Sequence, residues 1–340
     1  MPLISAIVPC YDVERWLSRC LDSVLSALPA DAELIAVDDG SRDSTLRILQ
    51  ERAKGEPRMK VIAAKHAGVS AARNRALDAA CGRYVFFVDP DDEVEPAFFG
   101  EMAEALERDH ADCCICGYSE REEGSDEARA VRLKGDYRFR SNGEIVRAYL
   151  PRIFGYSFDD IRSWYRGVPL FTYREMAFCW RMAFRRETIE AGRIRFDEAL
   201  ELNEDALFNA ECLLSASSMT CIDRPLYRSL HRDSGAVRTI SRDGARYCRN
   251  KLVLLRKRDA LNRASGGRLA PLYAGSCVLS ALEILSYVVR GRVRRVEGLR
   301  IFREYLAAPS VRAAVVGFPL SVRRPVLAAA VLSLRALEML

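Results

Sequence analysis

The sequence predicts an α/β fold with a mainly parallel sheet, followed by a helical C-terminal region. Four short β-branched or apolar runs alternate with helix-patterned segments over the first part of the chain. Beyond about residue 245 only helix-like patterning remains. A chain of 340 residues that is 49% hydrophobic can bury a sizeable core and exceeds one minimal domain.

The strand-like runs are residues 3–9, 33–39, 59–64 and 83–89. Between the first two, Trp16, Leu17, Cys20, Leu21, Val24, Leu25 and Leu28 recur at helical intervals and predict an amphipathic helix packed on the sheet. Ser41 or Asp43 can cap a second helix carrying Leu46 and Leu49, and Gly68 precedes a third with Ala71, Ala72, Leu77 and Ala80. Past about 105 the pattern loosens into a strand near 112–118, a charged stretch over 120–140 and aromatic-rich segments around 154–173. Long loops over a site are expected there. A second ordered block, 177–227, combines a strand around 180–184 with a helix over 203–215. Three parts follow from this reading: 1–105, 106–240 and 241–340.

No charged and then apolar leader opens the sequence, so a cytoplasmic location is expected. The 11 cysteines lie mostly in apolar stretches such as Cys113-Cys114-Ile115-Cys116 and lack disulfide-scaffold spacing, and Cys113, Cys114 and Cys116 have no partners at zinc spacing. They read as reduced thiols in buried elements. The net charge of +5 conceals an asymmetry, because residues 241–340 carry 19 Lys/Arg against 6 Asp/Glu and the first 240 residues are net acidic. No recognised nucleic-acid motif accompanies the basic tail, and nucleic acid is not an expected partner.

Ligands of α/β sheets sit beyond the carboxyl ends of strands, so the residues after each apolar run are the ones to inspect. They are Pro9-Cys10-Tyr11-Asp12, Asp38-Asp39-Gly40-Ser41 and Asp89-Pro90-Asp91-Asp92. Taken alone, the second could be a turn and helix cap and the third a solvated turn. Together they gather carboxylates at one sheet edge, where mutual repulsion calls for a cation or a hydrogen-bonding ligand, and a hard divalent metal bridging phosphates would serve.

These blocks, with Gly68-Val69-Ser70-Ala71-Ala72-Arg73-Asn74 between them, resemble the family-two glycosyltransferases in order and spacing. The resemblance implies the GT-A fold, a Rossmann-like nucleotide-sugar-binding sheet with helices on both faces. It implies that Pro9, Tyr11, Asp12, Asp38 and Asp39 line the nucleotide pocket, with Asp39 accepting from the base and Arg73 closing the same pocket. Asp89 and Asp91 would form the DxD pair, holding Mn or Mg and, through it, the diphosphate of a UDP-sugar. His66 and Asp12 stand where the family commonly has Asn.

Inverting transfer needs a base opposite the leaving diphosphate. Asn203-Glu204-Asp205 resembles the family's Glu-Asp motif at a helix start, which implies Asp205 as that base and Glu204 as its rival or orienting partner. The plain alternative is a pair that complements a helix dipole. His231, one of 3 histidines, stands in a block that approaches the diphosphate in relatives, and Arg228 and Arg232 are comparable candidates for phosphate contact.

The apolar run 269–282 contains Pro271, ends at Glu283 and falls short of a membrane span. Arginines at 290, 292, 294, 295, 300, 303, 312, 323 and 324 make the tail basic. It suits either the peripheral surface of an anionic bilayer at the inner face of the plasma membrane, or packing on the rest of the chain or on a dimer partner. The expected acceptor is a hydroxyl of a cell-surface glycan or lipid-linked precursor. A catalytically silent sugar-nucleotide-binding or scaffold protein would need a broken DxD or base, and both are intact. A dinucleotide-dependent oxidoreductase would need Gly-x-Gly-x-x-Gly after the first strand, where Cys10-Tyr11-Asp12-Val13-Glu14-Arg15 stands.

Overall fold

The computed structural model describes residues 3–170, 174–232, 240 and 242–320, so Arg323, Arg324 and parts of the 154–173 and 227–234 segments lie outside the described residues. The chain forms two compact units, Met1–Tyr149 with Ala177–Asp233, and Leu150–Met176 with Ser234–Leu340.

In the first unit β1 (Ile4–Cys10), α1 (Glu14–Ala27), β2 (Glu33–Asp38), α2 (Thr45–Lys54), β3 (Met59–Ala63), α3 (Val69–Ala79) and β4 (Tyr84–Phe87) alternate as the hydrophobic pattern predicts. Strand β5 (Glu93–Val94), α4 (Phe98–Arg108) and the hairpin of β6 (Cys113–Glu122) and β7 (Ala128–Val131) follow. Short helices α5 (Asn142–Glu144), α6 (Leu150–Ile153) and α7 (Phe158–Tyr165) come next, α6 and α7 belonging to the second unit. The first unit resumes with β8 (Met182–Arg185), α8 (Arg186–Ala191), α9 (Glu204–Ser215) and β9 (Met219–His231).

The described strands form one sheet in the order β3-β2-β1-β4-β8-β6-β9-β5, with β7 on β6. Strands β3, β2, β1 and β4 are mutually parallel, and β8 joins β4 antiparallel. Every residue of β1 and β2 is buried, as expected for central strands covered on both faces. Leu17, Cys20, Leu21 and Val24 of α1 pack into the same core cluster as Ile4, Ala6, Val8, Leu34 and Ala36. The charged stretch 120–140, expected as loop, instead contributes β7, because residues 118–121 of the long β6 have a free edge beyond the end of β8.

All 11 cysteines are free and all but Cys81 are buried, Cys113, Cys114 and Cys116 within β6. The second unit carries helices α10 (Gly244–Ala264), α11 (Ala270–Val289), α12 (Arg295–Leu306) and α13 (Pro309–Gly317). The expectation that the apolar run stops short of a span is corrected, since α11 continues past Glu283 to Val289. By length and composition it could cross a membrane, and half of that stretch is buried inside the protein.

Candidate active site

Parallel pairing aligns Cys10 with Asp38 and Ile7 with Phe87, so β1, β2 and β4 end on one edge and the residues that follow them meet there. Asp12 has φ +49°, a left-handed conformation that Asp and Asn tolerate better than other side chains. Its backbone N–H donates to Ser41 Oγ at 3.1 Å and its carboxylate accepts from Arg42 N at 2.7 Å, tying the first loop to the second. Asp43 accepts from Glu14 N at 3.0 Å and Thr45 N at 2.9 Å, while Glu14 accepts from Ser44 N at 2.8 Å. The starts of α1 and α2 thus cap each other. Ser44, not Ser41 or Asp43, takes the cap position, and the capping carboxylate comes from one residue earlier.

Several residues expected to contact a ligand have their side chains engaged within the chain. Asp38 Oδ2 accepts from Gly40 N and Ser41 N, both at 3.2 Å, and so holds the turn, while its buried Oδ1 has no partner among the described residues. Gly40 is required there, since it has φ +73° and a Cβ would lie 2.8 Å from His66 N. Asp39 is 2% exposed, and both its oxygens are used. Oδ1 accepts from Ala67 N at 3.0 Å and Arg75 Nη1 at 3.2 Å, and Oδ2 accepts from Gly68 N at 2.7 Å with His66 Nδ1 at 2.9 Å. His66, placed where an Asn was expected, stacks on Tyr11 with centroids 4.2 Å apart. Pro9 is buried in β1.

Arg73 is engaged in the same way. It is 3% exposed and donates to Asp205 at 2.7 Å and Glu204 at 3.1 Å through Nη1, and to Asp89 at 3.0 Å through Nη2. Its guanidinium lies 5.0 Å over Phe196, which stacks on Phe208 of α9 at 4.0 Å. Arg73 therefore joins the DxD stretch to the Glu-Asp pair. Asp205 also accepts from Cys179 N at 3.1 Å through Oδ2.

The Asp89-Pro90-Asp91-Asp92 loop is anchored from β9. Asp89 N donates to Tyr227 Oη at 3.0 Å, Tyr227 Oη donates to Asp92 Oδ2 at 2.8 Å, and Leu230 N donates to Asp92 Oδ1 at 2.7 Å. Trp180 stacks on Tyr227 at 4.2 Å and holds the ring in place. Asp91 pairs with Arg232 Nε at 2.5 Å, and the Arg232 guanidinium lies 4.3 Å over Trp16. His231 does not reach this loop: its Nε2 is 3.4 Å from Glu120, and Arg228 pairs with Glu95. Of the three basic candidates, Arg232 is the one brought to the DxD pair.

Four carboxylates, Asp89, Asp91, Glu204 and Asp205, thus surround two guanidiniums. Burial raises Asp89 to about 6, with Arg73 opposing and Asp91 and Asp205 adding repulsion. Burial and the charge of Asp205 raise Glu204 to about 7 against the pull of Arg73. Burial, with Asp91 and Asp89, drives Asp92 well above the carboxylate range. Excess negative charge with oxygen donors suits a hard cation. Among the described residues no group of three or more His, Cys, Asp or Glu could hold a metal by protein ligands alone.

Tyr227 and the backbone N–H of Cys179 were not legible as site residues, and Asp92 was legible only as a neighbour of the DxD pair. A lone tyrosine in a strand carries no signal until its partner strand is known.

The sequence model of the family described as Glycosyl transferase family 2 matches residues 5–179, just over half of the chain. Among curated proteins, the chain is 31% identical over 227 residues to the uncharacterized glycosyltransferase EpsJ of Bacillus subtilis, covering 67% of this chain and 60% of that one. It is 29% identical to the putative glycosyltransferase EpsH of the same organism, over 66% of this chain and 60% of that one. The chain therefore spans about 60% of the length of these two relatives. Among solved structures, S. aureus TarS 1–349 in complex with UDP-GlcNAc aligns at TM-score 0.55 and 18% identity, over 99% of this chain and 81% of that one. That likeness identifies the fold as GT-A. The strand-end blocks that meet at one sheet edge fall within the matched span or beside it, and the chain belongs to glycosyl transferase family 2.

Proposed function

We propose that the protein is an inverting, metal-dependent glycosyltransferase that moves a sugar from a UDP-sugar to a hydroxyl of a cell-surface glycan or its lipid-linked precursor. One observation carries the reading: Asp89 of the DxD pair and Asp205 of the Glu-Asp pair lie on opposite ends of one buried guanidinium. A donor diphosphate near Asp89 and Asp91 would then sit one arginine's width from a base. The TarS complexes with UDP-GlcNAc and with UDP support the choice of donor.

Asp91 and Asp89 would hold Mn or Mg through one or two carboxylates, leaving the remaining positions to phosphate oxygens and water, the usual arrangement for Mg at phosphate sites. The cation would offset the charge on the departing diphosphate. Arg232, already on Asp91, would exchange that carboxylate for a phosphate oxygen. Asp205, fixed between Arg73 and Cys179 N, would take the proton of the acceptor hydroxyl.

A second reading assigns the base to Glu204. Its carboxyl is raised to about 7, close to the ideal for a general base, whereas both oxygens of Asp205 are engaged.

The test is UDP release from a panel of UDP-sugars with Mn, for wild type, Asp91→Ala, Asp205→Asn and Glu204→Gln. Wild type releases UDP, Asp91→Ala loses metal-dependent donor binding, and Asp205→Asn binds donor without transfer. A wild type inactive across the panel overturns the enzyme reading. An active Asp205→Asn beside an inactive Glu204→Gln moves the base to Glu204.

A further inference from the structure

In the second unit, residues 289–296 run from the last residue of α11 through a short turn into the first two residues of α12. Residues 289–296 read Val-Arg-Gly-Arg-Val-Arg-Arg-Val, with four arginines and no acidic residue. The turn is held by its own backbone, through Gly291 N to Val288 O at 3.2 Å and Arg292 N to Tyr287 O at 2.9 Å. Val288 and Val293 are buried, and both stand where a Cβ on Gly298 would be, at 2.6 and 2.7 Å. Underneath, a Cβ on Gly244 would lie 2.1 Å from the Arg292 carbonyl oxygen, so α10 presses directly against the turn.

With those two valines turned inward, the neighbouring ones point out. Val289 is 77% exposed and Val296 is 85% exposed, the two most exposed large hydrophobic residues described. Arg290, Arg292, Arg294 and Arg295 are exposed as well, and none makes an ion pair with a described residue. Arg292 only overlies the Tyr287 ring at 5.6 Å, and the nearest acid in sequence, Glu297, is taken by Arg249.

Unpaired arginines alone would fit any polyanion. Two outward valines among them are a cost in water that no phosphate backbone would offset, but an apolar layer beneath a layer of phosphates would. We propose that the 289–296 turn is a membrane-docking tip, its arginines on the headgroups of an anionic bilayer and Val289 and Val296 at the acyl boundary. This goes beyond the transferase reading and does not depend on it. The tip is a built feature, since the buried Val288 and Val293 and the close approach at Gly244 fix the turn before any membrane arrives.

The test is flotation of the full chain with phosphatidylcholine vesicles, and with phosphatidylcholine mixed with phosphatidylglycerol, at low and high salt. Wild type floats with the mixed vesicles only, and less so as salt rises. Each arginine near an anionic surface is worth roughly fivefold in partitioning, so Arg294→Glu with Arg295→Glu lowers it on the order of 25-fold or more. Replacing all four arginines by lysine keeps it within a few fold. Val289→Ser with Val296→Ser lowers partitioning several-fold with the salt dependence unchanged. UDP release in solution is the same for every variant. Mixed-vesicle flotation that neither double variant reduces overturns the proposal. So does tighter binding to single-stranded RNA that the valine pair does not affect, or a dimer lost in the variants with no vesicle binding. A chain that floats as described but releases no UDP overturns the transferase reading and leaves the docking tip standing.

Discussion

Asp89 and Asp205, far apart in sequence, are bridged by one guanidinium: Arg73 Nη2 lies 3.0 Å from Asp89 and Arg73 Nη1 lies 2.7 Å from Asp205. Arg73 is 3% exposed, and Glu204 shares its Nη1 at 3.1 Å. Removing the arginine would leave three carboxylates crowded without a counter-charge. Stripping one partner from a buried ion-pair network costs about 3–5 kcal/mol. Arg73→Met is therefore expected to lose about that much stability in urea denaturation, and Arg73→Met with Glu204→Gln to recover part of it. If the single variant is as stable as wild type, the bridge does not hold the site together.

Tyr227 links the DxD loop to β9 through one hydroxyl, which accepts from Asp89 N and donates to Asp92. Tyr227→Phe keeps the stack on Trp180 but leaves a buried carboxyl and a backbone N–H short of a partner. Such groups cost about 1–3 kcal/mol when unsatisfied. The expected outcome is a loss of that size in stability together with weaker UDP binding, measured by calorimetry. An unchanged UDP affinity would separate the loop's anchoring from donor binding.

How much of this was legible follows from which contacts are local. The alternation of β1 to β4 and the strand-end blocks could be read because hydrophobic period and motif spacing lie within short windows. The ends of Arg73 could not. The family resemblance implies a place for it at the nucleotide pocket, while its partners Glu204 and Asp205 depend on where α9 docks against α3. The contacts of His231 depend on strand pairing in the same way. At the end of the long strand β9 it faces Glu120 of β6, and the next residue, Arg232, turns to Asp91. The hairpin of β6 and β7 was hidden because its charged residues lie on an exposed strand, which carries no apolar alternation.

Arg232 holds Asp91 at 2.5 Å with its guanidinium over Trp16, so a divalent cation binding at Asp91 must compete with it. Arg232→Gln is expected to tighten Mn binding in the absence of nucleotide several-fold, a charge-assisted contact being worth roughly 1.5–3 kcal/mol before its replacement by water. The same variant should slow UDP release, because the charge proposed for the diphosphate is gone. Mn titration followed by paramagnetic relaxation checks the first half and steady-state kinetics the second. Weaker Mn binding in the variant would mean that Arg232 orders Asp91 for the metal and does not compete with it.

At the other end of β1 and β2, Glu33 is 5% exposed and accepts from Ser5 Oγ at 2.6 Å, Cys81 N at 2.7 Å and Lys60 Nζ at 2.7 Å. Burial pushes its carboxyl up, but the hydrogen bonds from Lys60, Ser5 and Cys81 and the charge of Lys60 outweigh it, and the net shift is downward. A carboxyl depressed in the folded state stabilises at pH above its unfolded value, about 4.3, and that contribution is lost as pH falls through the folded value. Lys60 is raised by the same pair and behaves in mirror image, stabilising below its unfolded value and losing that as pH rises through the folded one. Glu33→Gln should therefore be less stable than wild type at neutral pH by about 1–3 kcal/mol. The gap should close progressively as pH falls below the ordinary carboxylate range. Urea midpoints measured across that range check it, and a gap independent of pH would mean that Glu33 acts through packing and not through its charge.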